Sequence, residues 1–158
     1  MDFNFPVQRK SQLKIFDQAD VGRSGPTLKR MQVALPDLSN SIDPMSSDAN
    51  KIISGLLAFE RDRGGLSVNS VYMLASVLRT WDKYCQNRQA YAFPVTLDFA
   101  LGWLRYERFT NKKSIETLRQ YRAQLTYLLK WMEVEHPFDS KEVKAFMSSL
   151  KKDQTELT

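Results

Sequence analysis

Two sets of side chains at helical spacing carry the chemistry of this sequence. Asn69, Tyr72, Met73, Ser76, Thr80 and Lys83 step by three and four, with Arg79 alongside, and so do Glu116, Arg119, Gln120, Ala123, Tyr127 and Lys130. Each set is one continuous helix face, with uncharged or adaptable groups upstream and bases further along. Amides and hydroxyls in such a row can pair with the edges of bases in a major groove. Guanidinium and ammonium groups can pair with guanine or phosphate, and Met73 and Ala123 suit a thymine methyl.

The parts needed for covalent or metal chemistry are not assembled. One histidine, His136, and one cysteine, Cys85, on separate elements do not make a zinc site, and no cofactor is expected. Gly64-Gly65 is followed by Leu-Ser rather than Lys-Ser or Lys-Thr, so it reads as a helix stop and not as a phosphate loop. Nothing positions a Ser/His/Asp triad, and no catalytic residue is assigned. Cys85 falls on an inward helix face and reads as core, in a reduced, cytoplasmic setting. No apolar run approaches the roughly 20 residues that span a bilayer, and the start MDFNFPVQRK lacks an apolar secretory segment, so neither a membrane nor a small-molecule substrate is expected as a partner.

Charge follows the two faces. The net charge is +5 over 158 residues, a mild hint of a polyanionic partner by itself. From Arg79 to Lys130 there are ten Lys and Arg against four acids, whereas from Glu133 onward six acids face four bases. Arg61 and Arg63 upstream of the first face, and Lys112 and Lys113 just before the second, stand where groove-bound helices meet the backbone. With Arg79, Lys83 and Lys130 they are assigned to phosphate.

The elements that position these residues are helices. Residues 1–45 carry four of the six prolines and nearly balanced charge, and read as a flexible arm with at most one short helix over 8–18. The basic pairs Arg9-Lys10 and Lys29-Arg30 in this arm read as solvated tail. A first helix is expected over 46–63, capped by Ser46 or Ser47, with Ile52, Ile53, Leu56, Leu57 and Phe59 inward. Ser67 caps a second that ends near 88, with Val71, Leu74, Ala75, Leu78, Trp81 and Cys85 as its stripe. After an extended crossing at 91–94, Thr96 caps a third, apolar nearly all round and so expected at the centre. Ser114 caps a fourth, which ends before His136-Pro137. Asp139 and Glu142 form a capping box for a fifth, whose stripe is Val143, Phe146, Met147 and Leu150. The expected fold is all-α: a compact bundle of five helices over 46–152, two of them groove-facing and crossing, with the N-terminal arm ahead of it.

The run Ala58-Phe59-Glu60-Arg61-Asp62-Arg63, then Leu66-Ser67, then Met73-Leu74-Ala75-Ser76-Val77-Leu78-Arg79-Thr80-Trp81-Asp82-Lys83-Tyr84-Cys85 resembles the N-terminal core-binding domain of Cre-like tyrosine recombinases. Phe93-Pro94, Trp103-Leu104, Thr117-Leu118-Arg119-Gln120 with Gln124-Leu125, and Asp139-Ser140 continue it in order and spacing, over roughly 48–152. The resemblance implies a five-helix domain clamping one face of a double-stranded DNA half-site. It places Arg61, Asn69, Tyr72, Met73, Ser76, Arg119 and Gln120 against DNA. Arg61, Met73, Ser76 and Gln120 keep the family's residue types. Asn69, Tyr72 and Glu116 depart from them, the last two where lysine is expected, which implies a different target sequence. Glu116 is left to stabilise its helix N-terminus or to accept from a cytosine amino group.

The family also implies a separate catalytic domain with a nucleophilic tyrosine, to which 153–158 would begin the linker. It further implies assembly with other copies into a tetrameric synapse on DNA, in a nucleoid-associated setting. Val143, Phe146, Met147 and Leu150 would then anchor a neighbouring protomer. The alternative is a helical protein-interaction module with solvated polar faces.

Overall fold

The computed structural model describes residues 35–157, with side chains to 151, and the expected helix over 8–18 and the two basic pairs of the arm lie outside them. Five helices follow in order: α1 (Ala49–Asp62), α2 (Val68–Asn87), α3 (Leu97–Phe109), α4 (Ile115–Trp131) and α5 (Lys141–Leu157). Among the described residues there is no strand beyond a single parallel bridge between Ile42 and Phe93, so the all-α bundle is the observed architecture.

Local chemistry sets the boundaries. The hydroxyls of Ser67, Thr96 and Ser114 accept from the backbone N–H groups of Ser70, Phe99 and Thr117 at 3.2, 3.3 and 3.1 Å. Each cap satisfies a donor that the helix cannot, worth about 1 kcal/mol. At the start of α1, by contrast, Asp48 is the cap residue and makes no side-chain cap bond, while Ser46 Oγ accepts from the Asp48 N–H. The α1 end is a left-handed Arg63 (φ 62°) followed by Gly64 (φ 56°), where a β-carbon would run into the Phe59 ring, so only glycine fits.

Several expectations about caps, extent and packing change. The fifth helix is capped by Ser140, whose Oγ accepts from the Val143 N–H at 3.2 Å, because Asp139 is instead held by Lys130 and Arg122. The helix also runs on to Leu157 through residues that hold no proline or glycine, where a linker was expected from 153. The central helix is α4, which packs against all four others, whereas α3 meets α2, α4 and α5. Helix α3 is shorter, and Leu97, Phe99 and Leu101 reach only half-burial. Leu57, expected inward, is 38% exposed.

The core is aromatic. Trp81, Trp103 and Phe138 meet edge to face with ring centroids 5.3 to 6.2 Å apart, and Tyr121 stacks on Trp103 at 5.5 Å. Such pairs add about 0.5–1.5 kcal/mol each beyond the area they bury. Residues 35–45, read from sequence as the end of the arm, are folded onto this core. Leu35, Leu38 and Ile42 are buried, and Ser41 O accepts from the N–H groups of Ala92 and Phe93 at 2.7 and 3.0 Å. The Asp43 N–H returns a bond to Phe93 O at 2.9 Å. Leu35, Leu38 and Ile42 are spaced by three and four, an apolar stripe masked by Pro36 within it and Pro44 after it.

Candidate nucleic-acid interface

Helices α2 and α4 form the most extensive pairing of the bundle, and Tyr127 on the outer face of α4 reaches the turn that precedes α2. Asn69, Tyr72, Met73, Ser76, Arg79 and Lys83 are exposed on α2, and Thr80 is half-buried with its hydroxyl donating to Ser76 O at 3.1 Å. On α4, Glu116, Arg119, Gln120, Ala123, Tyr127 and Lys130 are all exposed. The large apolar groups Tyr72 and Met73 keep 45% and 42% of their surface in solvent on this face.

The helices run in broadly opposite senses. Lys113, just ahead of α4, shares a cleft with Lys83 and Asn87 near the end of α2. At the far end, the Tyr127 hydroxyl donates to Gly64 O in the turn before α2. The two series of polar-then-basic residues are therefore laid head to tail. Lys83 with Lys113 makes one basic corner, whereas Lys130 sits at the other end.

Several expected phosphate or base contacts have partners within the chain. Glu116 Oε1 accepts from Arg119 Nη1 at 2.6 Å, one turn apart, which gives the acid a role that its sequence position leaves open. Lys130 Nζ lies 3.1 Å from Asp139 Oδ2, and Arg122 Nη2 lies 3.4 Å from Oδ1. The hydrogen bond from Lys130 is the main cause of an Asp139 carboxyl held below the usual range. Arg61 pairs with its neighbour Asp62 at 3.2 Å while remaining exposed. Arg63 is half-buried, Lys113 is half-buried and Lys112 is exposed.

The protomer-interface residues do not form a free surface. Val143, Met147 and Leu150 are buried against the chain's own bundle, and Phe146 is half-buried with the Arg105 guanidinium 5.3 Å from its ring centre. Their apolar stripe is used to attach α5, which packs on α3 and α4.

Elsewhere the titratable groups are structural. Cys85 is fully buried and its thiol is pushed up to about 12, chiefly by burial and then by the nearby Asp82 carboxylate. His136 is held below its ordinary value mainly by burial, and its Nδ1 accepts from the Phe138 N–H at 3.2 Å. Among the described residues no His, Cys, Asp and Glu cluster could hold a metal ion, and no helix is long and apolar enough to cross a membrane.

Sequence reasoning missed a second set of residues beside the faces. The cleft between α2 and α3, closed by the loop ahead of α4, is lined by Thr80, Lys83, Tyr84, Asn87, Tyr106, Glu107, Asn111, Lys113 and Tyr121, with room of about 370 Å³. Of these, Thr80, Lys83 and Lys113 were assigned to the DNA-facing surface from sequence. Glu107 gave no signal, because a lone acid on a mostly apolar helix looks like any solvated charge.

No protein-family model matches the chain. Among curated proteins it is similar to Recombinase cre of Escherichia phage P1, with 25% identity over 113 residues. That stretch covers 72% of this chain and 33% of the phage protein, so the chain spans about a third of the length of the relative it matches. The similarity supports a distant relationship to a recombinase.

Proposed function

We propose that this chain binds double-stranded DNA sequence-specifically, as the core-binding domain of a site-specific tyrosine recombinase, with α2 and α4 against a recombination half-site. The observation that carries this reading is the pair of exposed faces on two helices that pack together, rich in hydrogen-bonding and basic groups, in a chain similar to a phage recombinase. Asn69, Tyr72, Met73, Ser76, Arg119 and Gln120 read bases. Arg61, Arg63, Arg79, Lys83, Lys112 and Lys113 hold phosphates, and Lys130 joins them once released from Asp139. Strand cleavage and rejoining belong to the catalytic part of such a recombinase, and the chain's partners on DNA are further copies of it. An interaction module anchored on the α5 stripe is disfavoured, since Val143, Met147 and Leu150 are covered within the chain.

The test is selection of duplexes from a random pool, followed by anisotropy titration of variants against the enriched half-site and a scrambled duplex. The double change Arg79→Ala with Lys83→Ala is expected to weaken both duplexes and to flatten the salt dependence by about 0.9 per lost phosphate contact. Gln120→Ala or Met73→Ala is expected to reduce the preference for the selected site, by about 1–3 kcal/mol for a lost bidentate contact. Equal binding by wild type and all these variants would overturn the assignment.

A further inference from the structure

The cleft between α2 and α3 holds a group that its walls do not account for. Glu107 is only 2% exposed, yet it lies beneath a basic rim. Asn111 Nδ2 donates to its Oε2 at 3.1 Å, while Oε1 has no hydrogen-bond partner. The loop after α3 closes over it, with the Lys113 N–H bonding back to Glu107 O at 2.9 Å and Arg108 Nη1 donating to Lys113 O at 3.1 Å.

The groups that face this carboxyl come from every neighbouring element. They are Lys83 and Tyr84 on α2, Tyr106 on α3, Lys113 on the connecting loop and Tyr121 on α4, while Arg108 of α3 is turned to Lys113 O. Neither Lys83 nor Lys113 forms an ion pair with a carboxylate among the described residues. Two ammoniums at the mouth against one buried acid make a cleft that favours an anion, provided the acid is neutral. Asn87 and Asn111 add uncharged amides that can donate hydrogen bonds.

We propose that this cleft seats one phosphate group between Lys83 and Lys113, and that Glu107 beneath it must be protonated for the seat to be filled. The proposal rests on the DNA-binding reading only for the source of the phosphate, since a backbone phosphodiester and inorganic phosphate share the chemistry. Burial is the main cause that holds the Glu107 carboxyl above the usual range, with the Asn111 hydrogen bond and Lys113 acting against it. When Glu107 ionises, its charge cancels part of the field of the lysines and repels the anion. Occupancy therefore falls as pH rises through the Glu107 titration.

The experiment compares the whole chain with Glu107→Gln, a neutral near-isostere, from the ordinary carboxylate range upward to mildly alkaline pH. Inorganic phosphate is followed by chemical shifts of the Asn111 and Lys113 amides, and duplex DNA by anisotropy. Wild-type affinity is expected to drop about tenfold relative to Glu107→Gln across this range, because comparison at each pH removes the ligand's own titration. The double change Lys83→Gln with Lys113→Gln is expected to abolish the difference. A response to both probes supports a seat open to free phosphate, and a response confined to duplex supports a backbone phosphodiester as the occupant. Parallel pH profiles for wild type and Glu107→Gln with both probes would overturn the proposal, as would an unchanged difference in the double-lysine variant. Loss of all duplex binding with a retained phosphate response would sink the recombinase reading and leave the seat standing.

Discussion

Asp82 shows how one polar side chain can fasten two distant parts of the sequence. Its Oδ1 accepts from Ser41 Oγ at 2.5 Å and its Oδ2 from Gln86 Nε2 at 2.8 Å, within the bundle. Burial, working against both hydrogen bonds, holds the carboxyl above the ordinary aspartate range. The folded chain thus takes up a proton here more readily than the unfolded chain. The stabilising contribution is complete below the ordinary carboxylate value and is lost as pH rises through the raised folded value. Asp82→Asn is expected to remove that pH dependence, with the Gln86 amide turned to accept. Asp82→Ala, which leaves the buried Ser41 hydroxyl unpaired, is expected to cost about 1–3 kcal/mol. Urea titrations at mildly acidic and neutral pH check both. Sequence exposes such residues poorly: Asp82 lies on an amphipathic helix among Lys83 and Gln86, and nothing in that spacing shows that Ser41 comes to meet it.

At the level of elements, most of the fold was legible. Ser67, Thr96 and Ser114 precede apolar stripes with helical spacing, and each is a cap in the structure because a short hydroxyl can reach the N–H three residues on. The exposed faces of α2 and α4 were legible for the same reason, since periodicity separates inside from outside. What periodicity omits is which helix meets which, and in what sense. It could not show that α4 is central, or that the two faces lie head to tail. It also could not show that Asp139 leaves its capping role to hold Lys130. The Asp139 carboxyl is depressed mainly by the Lys130 hydrogen bond, so its contribution is present above the ordinary carboxylate value and fades as pH falls through the lower folded one. Both side chains are well exposed, which limits the pair to below about 1 kcal/mol. Asp139→Asn is therefore expected to change the thermal midpoint little while freeing the Lys130 ammonium. Duplex affinity should rise and the salt dependence should steepen by about 0.9. An unchanged slope would show that Lys130 stays off the DNA.

For the molecule as a whole, the stretch 35–45 matters more than its composition suggests. Proline and small polar residues give it the look of an arm, yet Leu35, Leu38 and Ile42 close one side of the core and Ser41 bonds the segment ahead of α3. Hydrophobic burial is decided by where the chain returns in space, which composition does not record. A chain beginning at residue 46 is expected to lose more than about 4 kcal/mol of stability, since three buried aliphatic side chains contribute about 1.5–3 kcal/mol each. Chemical denaturation against a chain beginning at residue 35 measures this.

The bond from the Tyr127 hydroxyl to Gly64 O has a consequence at the same scale. It ties the last turns of α4 to the bend from which α2 departs, so neither helix can slide along the other without breaking it. The pair then acts as a fixed gauge. On the DNA-binding reading proposed above, a duplex whose groove spacing does not suit the gauge must deform to fit, and the sequences that deform most easily gain an advantage at positions no side chain touches.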